Sequence, residues 1–316
     1  MCSEKDNLKS NSILKNKLFE SVSNVDILTT KTILITSNYN IWESVDNNGF
    51  TCLILACNIN NKEIIEAILN IVKKKLVDDT NLSKWINLKA DNGFNALHYS
   101  AYRGNLEAIK LLVKFGCNLD IKNDNGLNIM HLAAQGNQPN VLVYLMYNYG
   151  FCTNATDNSK SSCLHWASYS GSDEVFDYII SLYLNSYSSL SYKLNLGNIL
   201  NLKDNDGFTP LHLASLMSNK NIIRKLIVLQ ANFNIKDNIG RTPDSICKYK
   251  NDDITSNYIN NLIGLSKFKI FRSINNIILK KRYYKLFYLL ITLLIILVIS
   301  IYILSLEYNY SKFLLI

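Results

Sequence analysis

Four histidines, His98, His131, His165 and His212, and seven cysteines are the residues of this chain best equipped for chemistry. Imidazoles and thiolates together can hold a metal ion or run nucleophilic catalysis. The spacing speaks against both. The histidines recur at intervals of 33, 34 and 47 residues, always inside the same short pattern. Equivalent residues on packed helices sit about 8–10 Å apart, too far to converge on one ion with bonds of about 2.1 Å. Cys163 precedes His165 by two residues, and on a helix start such side chains point to different faces. Cys52 and Cys57 fall on repeat-core positions and read as small hydrophobes. The seven cysteines (2, 52, 57, 117, 152, 163 and 247) are odd in number and form no C-x-x-C pair, which argues for a reducing compartment over a disulfide framework. No H-E-x-x-H, G-x-S-x-G or Gly-rich phosphate loop occurs. The expectation is no catalytic residue, no metal and no cofactor.

The elements that carry these histidines are themselves repeated. DNNGFTCLILAC begins at Asp46, DNGFNALHYSA at Asp91, DNGLNIMHLAA at Asp124, NSKSSCLHWAS at Asn158, NDGFTPLHLAS at Asn205 and DNIGRTPDSIC at Asp237. The histidine position runs through Ile54, His98, His131, His165, His212 and Ser245. A base period of 33 or 34 with two insertions accounts for every spacing. Gly49, Gly93, Gly126, Gly207 and Gly240 fit a turn that needs positive φ. Thr-Pro at 209–210 and 242–243 starts a helix with proline in its first turn. Further on, apolar residues recur at helical spacing, as in Ile64, Ile65, Ile68 and Leu69 or Ile222, Ile223, Leu226 and Ile227. Each unit is too small to bury a core alone, so stacking must make the domain.

These segments resemble the ankyrin repeat over about residues 46–262. The family's D-x-x-G-x-T-P-L-H-x-A-A pattern is fullest at Gly207, Thr209, Pro210, Leu211, His212 and Ala214. It is weakest in the fourth repeat, where Lys160 replaces the glycine, and an irregular hairpin is expected there. The resemblance implies an all-α solenoid of helix-turn-helix units joined by β-hairpin turns. It also implies that each histidine is buried and hydrogen-bonded between its own turn and neighbouring backbone, and that hairpin tips and first helices form a concave surface for protein partners. Positions that map to that surface are Tyr99, Tyr102, Arg103, Gln135, Trp166, Tyr169, Leu213 and Met217. Tyr, Trp and Arg are the usual hot-spot residues of interfaces, although packing against the adjacent repeat would also explain any one of them.

Charge and hydropathy set the C-terminal part of the chain apart. The 316 residues carry a net charge of +8, and seven cations without an acid lie in 265–285 (Lys267, Lys269, Arg272, Lys280, Lys281, Arg282 and Lys285). The rest is nearly neutral, which excludes a nucleic-acid-binding face on the repeats. Leu286 to Leu306 comes next, without a charge. As a helix it would span about 31 Å, matching a hydrocarbon core of roughly 30 Å. Its basic N-terminal flank predicts a single transmembrane helix with the repeats in the cytosol; the sequence does not name the organelle, with the Golgi or endoplasmic reticulum favoured. The basic stretch reads either as a lipid-surface contact or as a topological signal.

The domain plan is therefore a disordered 1–13, a divergent capping half-repeat at 14–45, and about six repeats at 46–262 with insertions near 71–86 and 184–200. A basic juxtamembrane segment (265–285), a transmembrane helix (286–306) and a short tail (307–316) complete it. The Leu164-His165-Trp166-Ala167 run, placed before a basic stretch and an apolar span, is also similar to the front of ankyrin-repeat protein S-acyltransferases, where a tryptophan at the matching position lines a peptide groove. The Asp-His-His-Cys zinc loop of that family is absent from this sequence. The expected function is a membrane-anchored protein-binding adaptor, with the substrate-recruiting part of a truncated palmitoyltransferase as the alternative.

Overall fold

The computed structural model describes residues 2–37, 40–76, 78–184 and 196–266. They form helix pairs stacked side by side. The first helices are α1 (Cys2–Ser23), α3 (Cys52–Ile59), α6 (Ala96–Arg103), α8 (Ile129–Gln135), α10 (Cys163–Ser170), α13 (Pro210–Leu216) and α15 (Pro243–Tyr249). The second helices are α2 (Ile27–Thr36), α4 (Lys62–Lys75), α7 (Leu106–Lys114), α9 (Pro139–Tyr149), α11 (Asp173–Leu184), α14 (Lys220–Val228) and α16 (Asp253–Ser266). Each first helix packs on the next along one row, and the second helices stack in the row behind. Two further helices, α5 (Asp79–Ile86) and α12 (196–200), lie in the two insertions. The stack runs past both: α3 still meets α6, and α10 still meets α13.

Local sequence explains why the first helices are short and alike. An N-cap residue (Asn95, Asn128, Ser162, Thr209) closes a capping box with the histidine three residues on. At the far end of α8 stands Gly136, where an added Cβ would lie 2.0 Å from the Tyr102 carbonyl oxygen. The close approach of α8 to α6 requires the bare backbone. Between the rows lies one continuous apolar core, including Ile64, Leu69, Ile109, Leu112, Leu142, Leu145 and Phe176, all about fully buried. At roughly 1.5–3 kcal/mol per large side chain, this burial is the main stabilising term.

Three expectations change. Residues 2–13, expected disordered, belong to α1. They contain no proline or glycine, so they extend the helix that Leu18 and Val22 anchor by burial. The N-terminal cap is a full helix pair, because α1 packs on α3 and α2 on α4. The hairpin of the fourth repeat is regular: Lys160 adopts φ 59°, Asp157 N–H donates to the Ser161 carbonyl at 3.1 Å, and Thr156 bridges Ser162. Lysine here accepts a left-handed conformation that glycine would take without strain. Among the described residues no helix is long and apolar enough to cross a membrane. The span at 286–306, its basic flank from 267 and the tail lie outside the described residues.

Candidate partner-binding face

The hairpins that precede the first helices are built by one carboxylate or amide each. Oδ1 of Asp46 accepts the backbone N–H groups of Asn48 and Phe50, both at 2.8 Å. Asn123, Asp157, Asp204 and Asp237 do the same two and four residues on. Successive hairpins are then joined by backbone bonds, such as Asn158 N–H to Asn125 O at 3.0 Å and Asn205 N–H to Ser159 O at 2.8 Å. Side-chain amides reinforce this ladder, from Asn158 to Asp124 O, Asn205 to Asn158 O and Asn238 to Asn205 O.

Each histidine ties its helix to the following repeat. In His165, Nδ1 accepts from the Ser162 hydroxyl at 2.9 Å and its backbone N–H at 3.2 Å, which leaves the proton on Nε2 to be donated to Leu202 O at 3.0 Å. His212 repeats this with Thr209 and Arg241 O. His98 and His131 reach Leu127 O and Ala155 O through Nε2. Burial disfavours the imidazolium at all four positions, down to about 4 for His98 and His165. These are neutral structural groups. Burial likewise pushes the thiols of Cys52, Cys57, Cys117 and Cys163 up to about 12, so they are poor nucleophiles.

What the ladder and the histidines hold in place is a face of side chains at one, four and five residues beyond each histidine position. Tyr99 is half-buried between Phe50 (ring centroids 5.2 Å) and Phe94 (6.0 Å). Tyr102 is exposed, with the exposed Arg103 guanidinium over its ring and bonded to Asn58 Oδ1 at 3.0 Å. Gln135 is half-buried. Trp166 and Tyr169, both half-buried, meet edge-to-face at 5.9 Å, and the indole N–H donates to Asp157 Oδ2 at 3.0 Å. Met217 is 43% exposed.

Leu213 departs from its assignment to this face. It is 9% exposed, because α13 is closed in by α10 on one side and α15 on the other. Besides Asn58, which holds Arg103, the sequence reading passed over two residues of the face, Leu216 and Tyr249. Both sit four residues beyond the histidine position, and Tyr249 is 78% exposed with the Arg241 guanidinium 5.9 Å over its ring. A constant offset of four, through Asn58, Tyr102, Gln135, Tyr169, Leu216 and Tyr249, is the signal that finds them.

A stack of capped helix pairs with a ladder of hairpins along one edge defines a helical repeat solenoid. The family model described as ankyrin repeats (3 copies) matches residues 18–123, 69–157, 101–189 and 153–237. These overlapping stretches cover well over half of the chain, which therefore belongs to the ankyrin-repeat family. Among curated proteins, the transient receptor potential cation channel subfamily A member 1 of Homo sapiens is 24% identical over 61% of this chain and 19% of its own length. The Notch-regulated ankyrin repeat-containing protein of Xenopus laevis is 36% identical over 28% of this chain and 71% of its own length. A putative ankyrin repeat protein of Acanthamoeba polyphaga mimivirus is 26% identical over 69% of this chain and 30% of its own length. The chain thus spans about a fifth of the channel subunit that it matches.

Proposed function

We propose that this chain is a protein-binding adaptor that docks partner segments on its first-helix face and is tethered to a membrane through residues 286–306, with the repeats on the cytosolic side. The observation that carries the docking reading is the run of exposed and half-exposed aromatics, Tyr102, Trp166, Tyr169 and Tyr249, on a rigid row of capped helices. Aromatic and Arg side chains offer large contact area on few rotatable bonds, which favours them as binding anchors. The charge-free run and its basic flank support the tether. The acyltransferase alternative finds no favouring observation among the described residues, whose buried cysteines carry raised thiol pKa values.

The test places a photo-crosslinking phenylalanine at position 102 of the full chain, with a control at Tyr147 on α9, which is 89% exposed behind the first-helix row. A protein captured from 102 and not from 147, and lost in Trp166→Ala with the helical circular dichroism unchanged, supports the docking face. Equal capture from both positions rejects it. Protease added to sealed microsomes checks the tether, since protection of the repeats would reverse the orientation.

A further inference from the structure

Only the second and fourth hairpin-bearing repeats place an aromatic residue directly after the histidine position, Tyr99 and Trp166; the others have Leu55, Leu132, Leu213 and Ile246. Both aromatics are tethered by the polar end of the ring to their own hairpin. Asn92 Nδ2 donates to the Tyr99 hydroxyl at 2.9 Å, and Trp166 Nε1–H donates to Asp157 Oδ2 at 3.0 Å. The tethers come from different hairpin positions and use opposite chemistry, a donor for the phenol and an acceptor for the indole. The shared repeat pattern therefore does not explain them.

Asp157 separates two tasks. Its Oδ1 closes the turn by accepting the N–H groups of Ser159 and Ser161, both at 2.9 Å. Asn123 closes the equivalent turn with an amide oxygen, so the second carboxylate oxygen is not needed for the hairpin. In Asp157 that oxygen holds the indole. The second repeat has Ala90 at this position, and Asn92 takes over both duties, with Oδ1 accepting Phe94 N–H at 3.1 Å while Nδ2 holds Tyr99.

We propose that Asn92 and Asp157 are positioning residues that lock Tyr99 and Trp166 as a pre-organised pair of anchors, and that the partner meets them with two uncharged apolar side chains. This rests on the docking reading above. Locking a side chain before contact removes part of the ordering cost of association. First helices packed about 8–10 Å apart put the two anchors roughly 16–20 Å from each other. The charge around the two anchors selects the partner's chemistry: α6, α8 and α10, which carry and separate them, contain no Asp or Glu, and Arg103 is their one charged residue, whereas Asp244 and Lys248 lie further along on α15.

The test is Asp157→Asn in the full chain. The melting temperature should hold, as the Asn123 turn implies. The Trp166 indole N–H resonance, identified by its loss in Trp166→Phe, should exchange with solvent at least about tenfold faster, while those of Trp42 and Trp85 stay unchanged. Yield of the protein cross-linked from position 102 should drop about tenfold, with no further drop when Asp157→Asn is added to Trp166→Phe, the mark of a coupled pair. Unchanged exchange or unchanged yield overturns the lock. A drop that persists in the Trp166→Phe background shows general hairpin damage and overturns it too. If Trp166→Ala leaves the yield intact, the docking reading fails and takes the anchor claim with it, while the exchange rate still decides whether Asp157 holds the ring. Raising salt from 0.1 to 0.5 M should leave the wild-type yield within about twofold; a tenfold loss overturns the uncharged partner.

Discussion

The two long edges of this array are held by different forces. Along the hairpin edge, repeats are joined by directional bonds: histidine Nε2–H to the next repeat's carbonyl, backbone N–H to carbonyl between hairpins, and asparagine amides across the tips. Along the second-helix edge, neighbours meet mainly through buried aliphatic and aromatic side chains. Of the ion pairs there, Lys62–Glu107 at 3.8 Å is exposed and contributes little, and the part-buried Lys225, at 2.9 Å from both Asp173 and Asp177, adds one local bridge between α11 and α14. The polar edge fixes spacing and register, and with them the geometry of the docking face. The apolar edge supplies most of the stability. A site that must keep aromatic anchors in place is built on the edge whose bonds have angles.

Acid should distinguish the edges most sharply. The folded-state values of His98 and His165 lie near 4, below the ordinary 6.5 of the unfolded chain. Their contribution is complete above pH 6.5 and falls as the unfolded state takes up protons between 6.5 and 4. At 1.36 kcal/mol per pH unit the pair loses about 6 kcal/mol across that window. Melting temperature against pH checks this, and replacing both by glutamine, which cannot titrate, should flatten the curve. If the glutamine pair melts as acid-sensitively as wild type, the hairpin edge is not the seat of the effect.

Next in size is Phe176→Ala on the apolar edge, where the ring is 1% exposed. It should cost about 3–5 kcal/mol by denaturant unfolding, with little dependence on pH between 4 and 7. A strongly pH-dependent loss would blur the division between the edges. Smaller again is Asn205→Ala, which removes one amide bond from the ladder and should cost about 1 kcal/mol. Lys160→Gly runs the other way. Relief of the left-handed backbone, less the entropy of glycine, should stabilise the chain by roughly 0.5–1 kcal/mol.

The repeats were legible because their punctuation is chemical. A cap residue, a histidine three residues later and a glycine before them leave few structural alternatives, so the positions of His98, His131, His165 and His212 could be read together. Residues 2–13 were not, because a mostly polar helix whose buried anchors, Leu18, Ser21 and Val22, all lie in its C-terminal half has no local signature. Lys160 misled for the opposite reason: the missing glycine was visible, but the bonds that hold its turn come from Asp157 and from the next hairpin. On the docking face, pattern located the stripe and its offset of four finds Tyr249, whereas the burial of Leu213, one residue beyond the histidine position, depends on how neighbouring helices close over it. The asparagines were hardest to read. They form no motif by type and spacing, yet they cap helices at Asn61, Asn95 and Asn105, and carry the ladder at 158, 205 and 238.

The ladder gives this molecule a mechanical grain. A strip of short directional bonds resists extension, since each yields after a few tenths of an ångström, whereas greasy contacts slide before they part. Tension applied between the ends should therefore leave the hairpin strip nearly constant in length while the opposite edge fans open, bending the array like a watch strap with its links on one side. Anchors on the linked side would keep their separation under load, and a ligand gripping two of them would feel the spring as a change of angle and not of distance.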